Sequence, residues 1–331
     1  MKAVYQPDPK STKLVLNHTP LPTPQHPEDC LVRVYTASPC LGELHWEENF
    51  PHLFNQDRER IPCTEAAGVI VTVPEGTTQF QPGDEVFFRL EPPMTGNLRE
   101  YSIARLSQLA HKPKNVDWVV AGATPLSSLT AWQGIFDRGV LDPKGIFGDA
   151  EAKKRNSKLN VLITGASGVV GSWAVQLAAL AGAGDVVAYA GGSSAEYVRG
   201  LGATEVLDYK TVSLQEWVKN REPVDAVLDC VGGSTLESCW YAVKDGGVLL
   251  SVAGNPVACK PGGMEKTLKT AEWFLVEPKG SQLALIARLL EEGKCSTLVD
   301  SAVELEDFQA AFDKVEERKA RGKVVIKVAK F

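Results

Sequence analysis

The sequence predicts an α/β chain in which a β-rich segment precedes a doubly wound parallel sheet. Three observations carry that reading. From Met1 to about Gly122 the chain is punctuated by Pro and Gly, with short β-type runs at 31–35 (LVRVY), 68–73 (GVIVTV) and 84–90 (DEVFFRL). From about Ala123 apolar strand-like runs alternate with helical segments. Continuous apolar strands of that kind belong to a sheet covered on both faces. After about Ala271 two helices and a last β run close the chain. The expected divisions are therefore 1–122, 123–270 and 271–331.

At roughly 150 residues per domain, 331 residues correspond to about two domains, each able to bury a core. Apolar residues make up 44% and charged residues 23%, which excludes a disordered chain. Thirty-five Lys and Arg against 41 Asp and Glu leave a formal charge of −6. That balance argues against nucleic acid or an anionic membrane as a partner. Seven cysteines form no CxxC pair and are odd in number, so a reducing compartment is expected. The N-terminal stretch has no apolar h-region and no apolar run reaches 18 residues, so the expected location is cytoplasmic.

Taken in order, the strands of the second segment are expected at 161–165 (VLITG), 186–190 (VVAYA), 205–210 (EVLDYK), 226–232 (AVLDCVG) and 246–254 (GGVLLSVAG). Helices fall between them, at 172–182 and 195–202. Ahead of the first strand, the polar stretch 148–158 (GDAEAKKRNSK) reads as a solvated surface loop. Beyond the sheet come helices at 280–293 and 305–318 and a β run at 323–329 (KVVIKVA).

The strongest local signal is Val161 to Gly171, a strand, a glycine turn and a helix start in the order that a dinucleotide site requires. Gly165, Ala166, Ser167, Gly168, Val169 and Val170 are the expected cofactor contacts. Gly168 lets backbone approach a pyrophosphate and Gly171 lets helix and strand pack closely. Ala166 stands where the first glycine of the G-x-G-x-x-G turn would be. The unpaired N–H groups and positive dipole end of the helix face the phosphates. The second strand ends in Tyr189 and Ala190 and runs into Gly191, Gly192, Ser193 and Ser194, with no carboxylate at its end. A carboxylate there would repel a 2′-phosphate, whereas Ser193, Ser194 and the phenol of Tyr209 can bind one, with Lys210 or Arg199 adding charge. NADP(H) is the expected cofactor.

Taken together, the pieces PCTEAAGVIV (62–71), FQPGDEVFF (80–88), GNLREYSIA (96–104), LTAWQGI (129–135), LGATEVLDY (201–209), VDAVLDCVGG (224–233) and RGKVVIKV (321–328) resemble a medium-chain dehydrogenase/reductase along the whole chain. The pattern is most similar to zinc-independent quinone oxidoreductases and enoyl reductases, including trans-acting enoyl reductases. That resemblance implies a GroES-like, β-rich catalytic domain with a Rossmann doubly wound sheet inserted in it, and a hydride-transfer cleft where the two meet. It places Thr130 near the nicotinamide and offers backbone groups of Val252 and Ala253 to its carboxamide.

Zinc enzymes of this family carry Cys-His-x-Asp, then Gly-His-Glu, then a further Cys. Here Cys40 keeps only the cysteine, Cys63-Thr64-Glu65 has Thr for the histidine, and Leu126 stands at the third ligand. A tetrahedral catalytic site needs three protein ligands, so no metal is expected. The resemblance then implies hydride transfer to an activated alkene or a quinone, with a donor and a proton source at the substrate oxygen. His45, five residues after Cys40, is the candidate proton relay; Glu65 and Cys40 are further catalytic candidates. Phe50 stands near where mitochondrial-type enoyl reductases carry a tyrosine acid. The expected function is an NADPH-dependent reductase of an enoyl or enone substrate, a small molecule or a polyketide bound to a carrier protein, in secondary-metabolite biosynthesis. A quinone reductase, an NADPH-binding protein without turnover, and a scaffold recruited to non-redox chemistry stay open as alternatives.

Overall fold

Among the described residues, nine strands from the two ends of the chain form the β-rich part, and six strands from the sequence between them form a purely parallel sheet. The computed structural model describes residues 1–54 and 58–330. Contacts divide the chain into two units, Met1–Leu129 with Glu277–Phe331, and Thr130–Val276. These divisions fall several residues beyond the expected 122/123 and 270/271. The helix Pro125–Trp132 spans the first, and the strand Thr270–Trp273 pairs with the parallel sheet and so belongs to the second unit.

In the first unit β1 (Lys2–Tyr5) pairs with β2 (Val15–His18). β3 (Asp29–Ser38), β4 (Glu65–Thr72), β5 (Glu85–Arg89), β6 (Tyr101–Arg105) and β7 (Leu109–His111) lie in the larger sheet. There they join two C-terminal strands, Val299–Glu304 and Lys323–Lys327, the second of which pairs antiparallel with β3. Val32, Val34, Ile70, Val86, Phe88 and Ile326 are buried between these strands. Gly68 is required in β4, because a Cβ there would run into the Arg33 carbonyl of β3.

The second unit contains β8 (Val161–Thr164), β9 (Val186–Ala190), β10 (Glu205–Asp208), β11 (Val224–Asp229), β12 (Val243–Ser251) and β13 (Thr270–Trp273). The order is β10-β9-β8-β11-β12-β13, every pair parallel. Numbered within the unit this is 3-2-1-4-5-6, the Rossmann order, and ligands of such sheets bind at the carboxyl ends of the strands where the order reverses. That point lies between β8 and β11. All residues of β8 and β9 are buried, as expected for strands covered on both faces.

The stretch 148–158 corrects one expectation. It is not a loop: Ala150–Asn156 is a helix, capped by Asp149, whose carboxylate accepts from the Ala152 N–H at 2.9 Å. Lys153, Lys154 and Arg155 fill its last turn and oppose the negative dipole end. The buried Asn156 amide ties it to the unit, donating to the Asp142 and Ala181 carbonyls. Among the described residues no helix is long and apolar enough to cross a membrane.

Candidate functional site

β8 delivers the chain into a turn that only small residues can make. Gly165 has φ +58°, the left-handed region. The Gly168 N–H donates to the Gly165 carbonyl at 2.8 Å and closes the turn. Gly168 then caps the helix Val169–Ala181 in an extended conformation, with no side-chain hydrogen bond to the helix. The first amides of a helix have no intrahelical acceptors, and these have no capping oxygen, so they stand available to an anion. A Cβ on Gly171 would sit inside contact distance of the Gly165 carbonyl oxygen and 2.7 Å from the Ala166 Cα. Gly171 therefore sets how closely helix and turn approach. Ala166 is buried, and its N–H donates to the Tyr189 carbonyl at 3.3 Å. Ser167, Val169 and Val170 are half-buried around the helix start.

The turn after β9 lies one strand away. Ser193 and Ser194 fall in the 3-10 turn Gly192–Ser194, which the Ser194 N–H closes onto the Gly191 carbonyl at 2.9 Å. The Tyr209 ring lies over Gly191, 3.5 Å from where a Cβ would stand there, and is 55% exposed. The structure thus brings Tyr209 to the serine turn. Lys210 follows directly, its N–H donating to Asp208 at 3.0 Å. Arg199 sits in the last turn of the helix Ala195–Gly200, at the end remote from Ser193 and Ser194. One correction applies at this turn. A carboxylate does stand beside the end of β9, because the parallel register sets Asp208 of β10 opposite Ala190. Its carboxyl carbon is 3.2 Å from where a Cβ on Gly192 would lie. Reading one strand at a time misses a group that the neighbouring strand supplies.

At the switch point a buried carboxylate holds three strand ends together. Asp229 of β11 accepts from the hydroxyls of Thr164 in β8, at 2.6 Å, and Ser251 in β12, at 2.8 Å. It also accepts from the N–H groups of Val231, at 3.2 Å, and Gly232, at 2.9 Å. Ser251 in turn accepts from the Ala253 and Gly254 N–H groups, both at 3.1 Å, and the Val252 N–H donates to the Asp229 carbonyl at 3.0 Å. The loop carrying Val252 and Ala253 is therefore set by Asp229. The sequence reading missed this residue; its trace was a lone acid in the apolar run AVLDCVG. Thr130, buried, lies in the helix Pro125–Trp132.

In the first unit, the positions that the family resemblance singled out converge on a buried polar cluster. Glu65, fully buried at the start of β4, forms an ion pair with Lys323 and accepts from the Leu126 N–H at 2.7 Å. Burial works against the Lys323 ammonium, yet the facing Glu65 carboxylate holds its pKa above the ordinary value. Burial pushes the Cys40 thiol up to about 12 and the Cys63 thiol well above its usual range, so both are protonated at neutral pH. Cys63 stands where zinc relatives carry glycine and has φ +69°, a conformation that costs a side-chain-bearing residue about 1–3 kcal/mol. The Thr64 hydroxyl is buried with no hydrogen-bond partner among the described residues. No three His, Cys, Asp or Glu among the described residues are placed to hold a metal ion. Thr64 and Leu126 bring no zinc donor to two of the three ligand positions, and the neighbouring Glu65 carboxylate is paired with Lys323, so the residues present do not fit a zinc ion. His45 is apart from this group: it ends the turn Glu43–His45, partly exposed, with Nδ1 3.8 Å from the Glu48 carboxylate.

Glu43 belongs to the cluster and was not among the sequence candidates. It accepts from the Cys63 N–H at 3.3 Å. Burial pushes its carboxyl up from 4.5 to about 8, although Lys323 and backbone donors pull the other way. A carboxyl with a raised folded pKa keeps its proton in the fold after the unfolded chain has lost it. Its stabilisation is fully present below pH 4.5 and is lost as pH rises through about 8. Glu43→Gln should therefore flatten the stability profile between those limits and be more stable than wild type above pH 8. Denaturant midpoints measured across the range check this; an unchanged slope contradicts it.

Comparison with known proteins agrees with both units. Residues 26–114 match the family model for the alcohol dehydrogenase GroES-like domain, and residues 201–326 that for zinc-binding dehydrogenases. A probable zinc-binding oxidoreductase, mitochondrial, of Arthroderma benhamiae is 41% identical over 97% of this chain and 95% of its own. A chloroplast envelope quinone oxidoreductase homolog of Arabidopsis thaliana is 32% identical, covering 93% and 92%. A solved NAD-dependent alcohol dehydrogenase has a TM-score of 0.82 at 26% identity, covering 99% of this chain and all of the other. With its glycine turn, its 3-2-1-4-5-6 sheet and relatives matched along nearly the whole length, the chain belongs to the medium-chain dehydrogenase/reductase superfamily of oxidoreductases.

Proposed function

We propose that the chain is an NADPH-dependent reductase that transfers hydride to an activated C=C bond without a catalytic metal. The observation that carries the reading is the residue chemistry at the three expected zinc positions: a single thiol at Cys40, a hydroxyl at Thr64 and an alkyl group at Leu126, with the Lys323 ammonium on Glu65 beside them. An electrophile activated by its own conjugation is the acceptor that such a set suits.

The fold family binds NAD(P)H, and the residues of the second unit fit it. The pyrophosphate would lie on the amides from Gly165 to Val170, and the 2′-phosphate on Ser193, Ser194 and Tyr209. Backbone groups of Val252 and Ala253 would take the carboxamide, and Thr130 would lie near the nicotinamide. When bound, the reduced nicotinamide supplies a hydride. Charge then builds on the acceptor oxygen and requires a hydrogen-bond donor and a proton. His45, partly exposed beside Glu48, is our candidate for the proton relay. The seven free cysteines support a reducing compartment, and the cytoplasm is our reading.

NADPH should bind at least about tenfold more tightly than NADH, a difference of roughly 1.4 kcal/mol, as measured by calorimetry. Equal affinities, with Asp208 repelling the phosphate, would overturn the specificity. Oxidation of NADPH with an enone, an enoyl thioester free or on a carrier protein, and a quinone then tests the acceptor. We expect the conjugated carbonyls to have the higher kcat/KM. The similarity to a quinone oxidoreductase homolog favours a second reading, supported if only the quinone turns over. Tight binding with no turnover on any acceptor would contradict both.

A further inference from the structure

Asp229 joins the two loops that the cofactor reading gives to opposite ends of the dinucleotide. It is fully buried, and each carboxylate oxygen accepts one hydroxyl and one N–H: Oδ1 from Thr164 and Val231, Oδ2 from Ser251 and Gly232. Both hydroxyls are used twice. Thr164 also accepts from the Cys230 N–H at 3.0 Å, and Ser251 from the N–H groups of Ala253 and Gly254. On the phosphate side, Thr164 immediately precedes the glycine turn, and a Cβ on Gly165 would meet the Val231 side chain at 3.1 Å and the Cys230 Cβ at 3.5 Å. On the carboxamide side, Gly232 has φ +79°, and a Cβ on it would lie 3.1 Å from the Ala253 carbonyl oxygen. A continuous path of contacts therefore runs from the glycine turn through Asp229 to Ala253, wholly inside the second unit.

A buried carboxylate with a donor pair on each oxygen has one arrangement, because turning it leaves a buried donor unpaired. Its bonds reach beyond the strands to the amides of the loops that follow β11 and β12. Those loops leave the carboxyl ends of the strands beside the reversal of strand order, where such sheets take their ligands. We propose, on the cofactor assignment made above, that Asp229 is a positioning residue: through Ser251 it presets the Val252–Ala253 loop against the glycine turn, so that binding of the phosphates presents the nicotinamide to a loop already in place. Its side chain is spent on two hydroxyls and two N–H groups and acts through them. A preset loop needs no ordering when the cofactor arrives, so loosening it weakens the whole cofactor and spares the adenosine end.

Calorimetry of the full chain with NADPH and with 2′,5′-ADP, which lacks the nicotinamide, separates the two ends. Ser251→Ala releases the Ala253 and Gly254 N–H groups and the link from the loop to Asp229. Its NADPH Kd should weaken about tenfold or more, while its 2′,5′-ADP Kd stays within about twofold. Asp229→Asn should show the same split more strongly: each oxygen has an N–H partner, so the amide nitrogen faces a donor in either orientation. Equal losses for the two ligands, or no loss, would overturn the positioning role alone. A wild type that binds neither ligand overturns the cofactor assignment and the inference with it. If neither variant folds, hydrogen exchange of the wild type decides. The Ala253 and Gly254 amides should be protected about tenfold or more before any ligand is added, with little change on adding NADPH. Amides that exchange freely until NADPH binds would show that the cofactor orders the loop, and the inference fails.

Discussion

Lys323→Met should destabilise the protein by about 3–5 kcal/mol, because it breaks the buried ion pair and removes the cation hydrogen-bonded to the Glu65 carboxylate. Glu65 is fully buried and Lys323 is 4% exposed, so neither charge is relieved by water. The pair also spans the sequence: Glu65 opens β4, Lys323 opens the last strand of the chain, and the carboxylate additionally fixes the Leu126 N–H. Removing both charges together is a different experiment. Glu65→Gln with Lys323→Met keeps an acceptor for Leu126 and removes both charges of the pair, but it leaves Arg89 opposite a neutral side chain, so it should recover only part of the loss. Since Glu65 raises the ammonium pKa above 10.5, this stabilisation is fully present below that pH and is lost only as pH rises through the raised value. Urea unfolding of the two variants near neutral pH checks the claim. A loss below about 1 kcal/mol for Lys323→Met would show that the pair is solvated after all.

Four strand positions of the parallel sheet were legible because each carries an apolar run, and VVAYA is β9 to the residue; the short β10 was read beside them, whereas β13 (TAEW), with no such run, was missed. The glycine turn was legible because its order of strand, turn and helix is local in sequence. What escaped depends on neighbours distant in the chain. Asp208 reaches the β9 turn through strand register, and Asp229 becomes a hub only when β8 and β12 supply their hydroxyls. Arg89 looks like one more residue of the run DEVFFRL, and its burial opposite Glu65, itself paired with a lysine 258 residues away, follows from strand register alone. The helix at 150–156 was hidden by its polarity, since its stability comes from an Asp cap and from Asn156, which no apolar periodicity reports.

Gly171→Ala should lower NADPH affinity by about 100-fold or more, the scale expected when a binding element is displaced by about an ångström. The added methyl meets backbone, the Gly165 carbonyl oxygen and the Ala166 Cα, neither of which can rotate away. Helix and turn must separate, and the amides that open Val169–Ala181 move with the helix. Overpacking of this kind also costs about 1–3 kcal/mol of stability. Gly168→Ala isolates the other glycine role. Gly168 is exposed, has φ −82°, and the nearest atom to its added methyl is the Gly165 carbonyl oxygen at 3.2 Å, so the fold should be nearly unaffected. Its methyl would instead occupy the space where backbone approaches the pyrophosphate. Gly171→Ala is therefore expected to lose both stability and NADPH binding, and Gly168→Ala binding alone, as read by calorimetry and urea unfolding of each variant. If Gly171→Ala folds and binds NADPH like wild type, the turn is not the phosphate site, because no other arrangement of this helix leaves its amides in place.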